Sequence, residues 1–146
     1  MTDRGRYAGK RVILSGAASG TGPATAGLLV DWGAEVHTID ATKPKVRGLA
    51  SFTECDLRAP EQVDAAVDRI GKYVHVLVNC APHGPGVEHL IERVAADMLE
   101  GSAIVCAGGT AAEAFVTGHA RELAARGIDL TFADPPFVGP AGDRAD

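Results

Sequence analysis

The sequence predicts an α/β fold, a doubly wound parallel sheet of about six strands in the order 3-2-1-4-5-6 with helices on both faces. Three observations predict it. Short β-branched runs alternate with segments of helical period, several of those runs are almost continuously apolar, and a glycine-rich turn joins the first run to the first helical segment. Right-handed crossovers between parallel strands then fix the strand order.

The six strand runs are RVILS (11 to 15), EVHTI (35 to 39), SFTEC (51 to 55), VHVLVN (74 to 79), AIVCA (103 to 107) and DLTFA (129 to 133). A helix opens at the glycine turn after the first. The crossover DATKPKVRGLA is polar and marked by proline, so it reads as a loop. After Asp56, Pro60 stands at a first helical position and Gly71 ends the helix, with Val63, Val67 and Ile70 inward. In GVEHLIERVAADML, Val87, Leu90, Ile91, Val94 and Met98 fall mostly three and four apart and form one apolar face. The last helix starts at Thr110, where Thr110 and Glu113 have the T-x-x-E spacing of a capping box. Its face of Ala112, Phe115, Val116 and Leu123 also carries His119, which reads as a packed, hydrogen-bonded histidine.

Composition bounds the organisation. The 146 residues, 46% hydrophobic and 5% aromatic, fit one domain over 1–138 with a tail over 139–146 that looks frayed from Val138 onward. The net charge of -5, with Lys and Arg scattered, gives no basic stripe, so neither nucleic acid nor membrane is an expected partner. The charged start MTDRGRYAGK, without an apolar stretch, points to a cytoplasmic protein. Cys55, Cys80 and Cys106 are odd in number and lack C-x-x-C spacing, so they read as reduced thiols, and no metal site is indicated.

The segment VILSGAASGTGPATAGLLVDWGAEVHTID, residues 12 to 40, carries the chemistry. Gly16, Gly20 and Gly22 form a G-x-x-x-G-x-G turn opening a helix. The first permits the reversal, the second lets a pyrophosphate approach the backbone, and the third allows close helix packing, while the helix start offers free N–H groups. Asp40 closes the next strand, where a carboxylate accepts hydrogen bonds from an adenosine ribose and repels a 2′-phosphate. NAD(H) is therefore expected over NADP(H), and Ser19, where a basic residue could stand in the turn, points the same way.

These residues resemble the short-chain dehydrogenase/reductase family. SGAASGTG is similar to its cofactor turn, CDL (55 to 57) to its adenine-contacting segment, and VNCAP (78 to 82) to its N-N-A-G motif. ARELAARGIDLTFADPPFV resembles the helix, strand and proline that follow its active site. The resemblance implies a Rossmann-like fold with Gly16, Ser19, Gly20, Thr21 and Gly22 at the dinucleotide, Asp56 and Leu57 at the adenine, Asn79, Cys80 and Ala81 along the cleft, and Pro135 and Val138 near the nicotinamide. Cys80 replaces the second Asn, Pro82 the Gly, and Pro136 the Gly of the family's P-G pair.

The resemblance also implies a Ser and a Y-x-x-x-K placed between the fifth strand and the following helix. That segment is missing here. No tyrosine follows Tyr73, no lysine follows Lys72 and no serine follows Ser102. The groups left for chemistry are Cys80, His83, Cys106 and Asp134, at or just after the ends of strands four, five and six, where ligands of such sheets bind. Against this, strand-end cysteines serve as small core residues, His83 in PHGPG reads as a solvated loop residue, and His37, His75 and His89 belong to no readable cluster.

Two function classes follow. One is an NAD(H)-binding relative that does not turn over by the family mechanism, a sensor or a subunit beside another protein. The other is an atypical oxidoreductase whose acid comes from His83, a bound water or a partner chain. A third possibility keeps the glycines for packing alone. The uncovered sixth strand is an open edge, so a homo-oligomer is an expected assembly.

Overall fold

The computed structural model describes residues 5, 7–18, 20–107 and 109–133. Ten elements follow in order: β1 Arg11–Ser15, α1 Gly22–Asp31, β2 Glu35–Asp40, β3 Ser51–Glu54, α2 Pro60–Ile70, β4 Val76–Asn79, α3 Pro85–Ala95, β5 Ala103–Ala107, α4 Thr110–Ala124 and β6 Asp129–Ala133. The sheet is parallel throughout, ordered β3-β2-β1-β4-β5-β6, as the crossover rule predicts.

Alternation along the strands divides the core. Ile13, Ile39, Leu77, Ile104 and Leu130 face α2, α3 and α4, while Val12, Leu14, Val36, Val78 and Val105 face α1. With both faces filled around β1 and β4, these strands are apolar end to end, which is why they read as continuous runs. The α1 layer is closed by Trp32, whose ring lies 5.8 Å from that of Tyr7 and whose carbonyl accepts the Tyr7 N–H at 2.8 Å.

The helix punctuation follows the sequence closely. Pro60 opens α2, and Gly71, at φ 98°, ends it. The stretch after β2 forms no helix, as its prolines and charges predict. Four details differ from the sequence reading. Helix α3 ends at Ala95, so Met98 lies beyond it in the following turn, half-buried against the core. The third strand stops at Glu54. The fourth begins at Val76, because the ring of His75 accepts the Arg11 N–H at 2.9 Å and takes the place of a ladder bond. Finally, Gly109 is the N-cap of α4 at φ 89° and no side chain caps the helix, so Thr110 is its first helical residue and no capping box forms.

Helices α2 and α3 are joined at the surface. Asp64 Oδ1 accepts from His89 Nε2 at 2.8 Å and from Arg93 Nε at 2.9 Å, and Arg93 also reaches Asp68 at 2.7 Å. His89 foremost, with Arg93, holds the Asp64 carboxyl below its ordinary 3.8. A carboxyl that titrates lower when folded stabilises the fold above its unfolded value and loses that contribution as the pH falls toward the folded value. Asp64→Asn should therefore lower Tm at pH 7, and the gap between variant and wild type should shrink as the pH falls below the ordinary carboxyl value of 3.8. Thermal melts of both proteins across that range check it.

Candidate cofactor cleft

The cleft begins where β1 hands the chain to α1. Gly16 adopts φ 77°, and a Cβ there would overlap the backbone of Cys80 and Ala81 at the end of β4. Only a residue without a side chain lets the two strand ends approach so closely. A Cβ on Gly22 would overlap the Gly16 carbonyl and the Ala17 α-carbon, so the third glycine admits the turn's own backbone. Gly20, at φ 61°, has nothing within 4 Å of where its Cβ would be and faces open space.

The start of α1 differs from those of the other helices. None of the four helices has a side-chain cap, but α2, α3 and α4 carry Glu61, Glu88 and Glu113 in their first turns, whereas α1 has no acid there. Its positive dipole end and first N–H groups are therefore left for an anion. Asp40 reaches the turn from the end of β2, its Oδ2 accepting the Ala18 N–H at 2.9 Å and its Oδ1 the Ala41 N–H at 2.7 Å.

The other predicted residues surround this turn. Thr21 is the N-cap of α1, its carbonyl accepting from Thr25 Oγ1 at 2.9 Å, and both threonines offset part of the upward push of burial on the Cys80 thiol. Asp56 lies in the loop after β3, held below the usual carboxylate range by Arg58, whose Nε and Nη2 both donate to it at 3.0 Å. Leu57 follows, and Gly86 at the start of α3 packs against its carbonyl so tightly that a Cβ would overlap it. Asn79 is buried: its Oδ1 accepts from Ser15 Oγ at 3.0 Å and its Nδ2 points at Cys106 Sγ, 3.9 Å away, tying the ends of β1, β4 and β5. Ser19, Asp134, Pro135, Pro136, Val138 and the tail 139–146 lie outside the described residues.

Among the described candidate reactive groups, the two cysteines do not converge. Cys80 packs on the α1 face of the sheet and Cys106 on the opposite face. Burial pushes the Cys106 thiol up to about 11 and raises that of Cys80 as well, so both are protonated near neutrality and neither is an activated nucleophile. His83 is not solvated: its side chain is 4% exposed, its Nε2 lies 2.9 Å from Glu88 Oε2, and its Nδ1 is buried with no hydrogen-bond partner. The PHGPG loop folds inward because the ring rests 5.1 Å from that of Phe115 on α4. His119 bonds the Phe115 carbonyl at 2.9 Å and stacks on the same ring, yet it is exposed and not packed in the core. Among the described residues no group of His, Cys, Asp and Glu could hold a metal ion.

No family model matches the sequence. It is 38% identical over 96 residues to L-fucose dehydrogenase of Oryctolagus cuniculus, covering 58% of this chain and 34% of that protein. It is 33% identical over 72 residues to a coniferyl-alcohol dehydrogenase of Pseudomonas sp., covering 49% and 28%. The chain thus spans about a third of the length of the curated relatives it matches. Among solved structures it superposes on a citronellol catabolism dehydrogenase of Pseudomonas aeruginosa, with a TM-score of 0.77 at 22% identity, covering 88% of this chain and 74% of that one. The chain shares its fold with solved short-chain dehydrogenases/reductases, and part of its sequence is similar to the two dehydrogenases. An NADH-dependent reductase solved with NAD gives the same TM-score of 0.77 at 18% identity, covering 94% and 81%.

Within this short-chain dehydrogenase/reductase fold, Gly108 and Gly109 alone separate β5 from α4, and residues 103–133 contain no Ser, Tyr or Lys. Two glycines give the turn its test. Gly22→Ala should disrupt the turn and lower Tm. Gly27→Ala, inside α1 with nothing within 4 Å of the added carbon, should stabilise by about 0.5–1 kcal/mol. Thermal melts of the two variants, read side by side, separate the turn from general helix propensity.

Proposed function

We propose that the chain binds a nicotinamide dinucleotide, NAD(H) over NADP(H), and does not interconvert carbonyls and alcohols by the family's Ser, Tyr and Lys route. The observation that carries this reading is Asp40 lying against the glycine turn, its Oδ2 2.9 Å from the Ala18 N–H beside the acid-free start of α1. The residues fit the group: open space at Gly20 admits a pyrophosphate, the α1 N–H groups supply its donors, and the Asp40 carboxylate can also accept from the hydroxyls of an adenosine ribose. The bound dinucleotide would supply hydride chemistry. This chain's own residues bind and orient it, with Thr21, Asp56, Leu57 and the backbone of Asn79, Cys80 and Ala81 around the cleft. The family's acid needs a tyrosine lowered by a lysine, and the region between β5 and β6 offers neither. A role as a sensor or as a subunit beside another protein follows, in the cytoplasm. No helix among the described residues is long and apolar enough to cross a membrane.

A second reading draws on the His83–Glu88 pair. Glu88 holds the ring beyond the end of β4, on the side of the sheet where ligands of this fold bind, so His83 is the group best placed to replace the absent acid. Titration with NADH and NADPH, followed by nicotinamide fluorescence and calorimetry, tests the binding. NADH should bind in preference, and Asp40→Ala should weaken it about tenfold or more. Binding of neither dinucleotide would leave the glycines a packing role. Oxidation of bound NADH by a carbonyl panel, lost in His83→Ala, would establish the second reading, and no turnover would remove it.

Self-association belongs to the same proposal. Edge strand β6 exposes Asp129 and Thr131 on the α1 face of the sheet, opposite the face that buries Leu130. Sedimentation should give a mass above the 15.0 kDa monomer, and a strictly monomeric mass would refute association between copies.

A further inference from the structure

Away from the cleft, a serine, a histidine and a glutamate line up across β2 and β3. His37 lies opposite Ser51 in the parallel register, and its Nδ1 is 2.7 Å from Ser51 Oγ. The other ring nitrogen, Nε2, is 2.6 Å from Oε2 of Glu35, two residues back on the same face of β2. A carboxylate only accepts, so Nε2 carries the ring proton and Nδ1 offers its lone pair to the Ser51 hydroxyl. Arg11, across on β1, donates to the same Glu35 oxygen at 3.0 Å. The hydrogen bond from His37, then that from Arg11, holds the Glu35 carboxyl below its usual range, so it stays ionised.

Nucleophile, base and orienting carboxylate in hydrogen-bond sequence are what activates a hydroxyl, and such a set is recognised by geometry and not by order along the chain. We propose that Ser51 is a nucleophile for acyl transfer from small activated carboxylic esters, with His37 as its general base and Glu35 as the residue that positions the ring. Ser51 Oγ attacks the carbonyl carbon and its proton passes to His37 Nδ1. The bond to the leaving oxygen breaks, the alcohol departs with that proton, and Ser51 keeps the acyl group as an ester. Water, giving a proton to the same nitrogen, then releases the carboxylic acid and restores the serine. No oxidant or reductant enters.

The surroundings suit a small substrate. The His37 side chain is 12% exposed and Ser51 is half-buried, so neither residue is sealed in the core. β3 is an edge strand, and the rim of such a strand holds backbone N–H groups without a strand partner, donors of the kind that stabilise an acyl oxyanion. Thr53, next on this face of β3, has a buried hydroxyl with no hydrogen-bond partner. His37 precedes Asp40 by three residues, roughly 10 Å of strand, so the site stands independently of the dinucleotide reading.

The test treats the whole chain with a fluorophosphonate probe and, separately, with p-nitrophenyl acetate, and maps adducts by peptide mass spectrometry. One adduct is expected on Ser51, absent in Ser51→Ala and formed about 100-fold more slowly in His37→Gln. Glu35→Gln should lower kcat for the ester about tenfold with KM unchanged, a split that mere loss of strand packing would not produce. Circular dichroism checks that each variant is folded. No adduct on Ser51, or labelling at an undiminished rate in His37→Gln, would overturn the proposal. Should His37→Gln unfold, an undiminished rate in Glu35→Gln, altered only at a half-exposed side chain, would overturn it equally.

Discussion

The contact on which the rest depends is the approach of Gly16 to the backbone of Cys80 and Ala81. Two adjacent parallel strands end there, and the first must reverse into a helix lying on one face of the sheet. A side chain at Gly16 would push the strand ends apart, and one at Gly22 would push α1 off the turn. Because neither has one, α1 lies on Val12, Leu14 and Val36, and its uncapped start projects at the end of the sheet beside Asp40. The approach of the strand ends and the packing of α1 are thus set by the same absent atoms.

Buried polar groups then lock this arrangement. Asn79 joins β1 to β5 through Ser15 and Cys106, so the strand ends under the cleft are tied by side chains as well as by the ladder. Such a network is costly to leave half-made in a low-dielectric interior, and it favours a single register at the place where ligands meet the sheet. Farther along, β5 passes into α4 through two glycines, and His83 fills the space beside Phe115. On α4 the Phe115 ring is met from one side by His83 and from its own helix by His119.

Much of the fold was legible because its signals are local. The apolar runs, Pro60, Gly71 and the proline-marked loop each act through the conformation of their own residues, and the strand order follows from crossover handedness. The glycine turn with Asp40 was legible for the same reason, since spacing along one strand-turn-helix unit fixes it. The reading failed where another residue, adjacent in one case and distant in the other, overrode the local pattern. Thr110 and Glu113 have the spacing of a capping box, yet Gly109 starts the helix one residue earlier and leaves the threonine inside it. His83 reads as a loop residue until Phe115, 32 positions later, supplies a ring to rest on.

By itself the sequence determined the parallel α/β architecture, the glycine turn from β1 into α1, and the lack of serine, tyrosine and lysine between β5 and β6. Only the tertiary structure decided which side chains meet. It set Cys80 and Cys106 on opposite faces of the sheet, buried the ring of His83, and brought Ser51 to His37 across 14 residues of sequence. The physical reason is register. Which residues of β3 lie beside which of β2 depends on the loop between them and on the helices packed over both, and no periodicity within either strand encodes that.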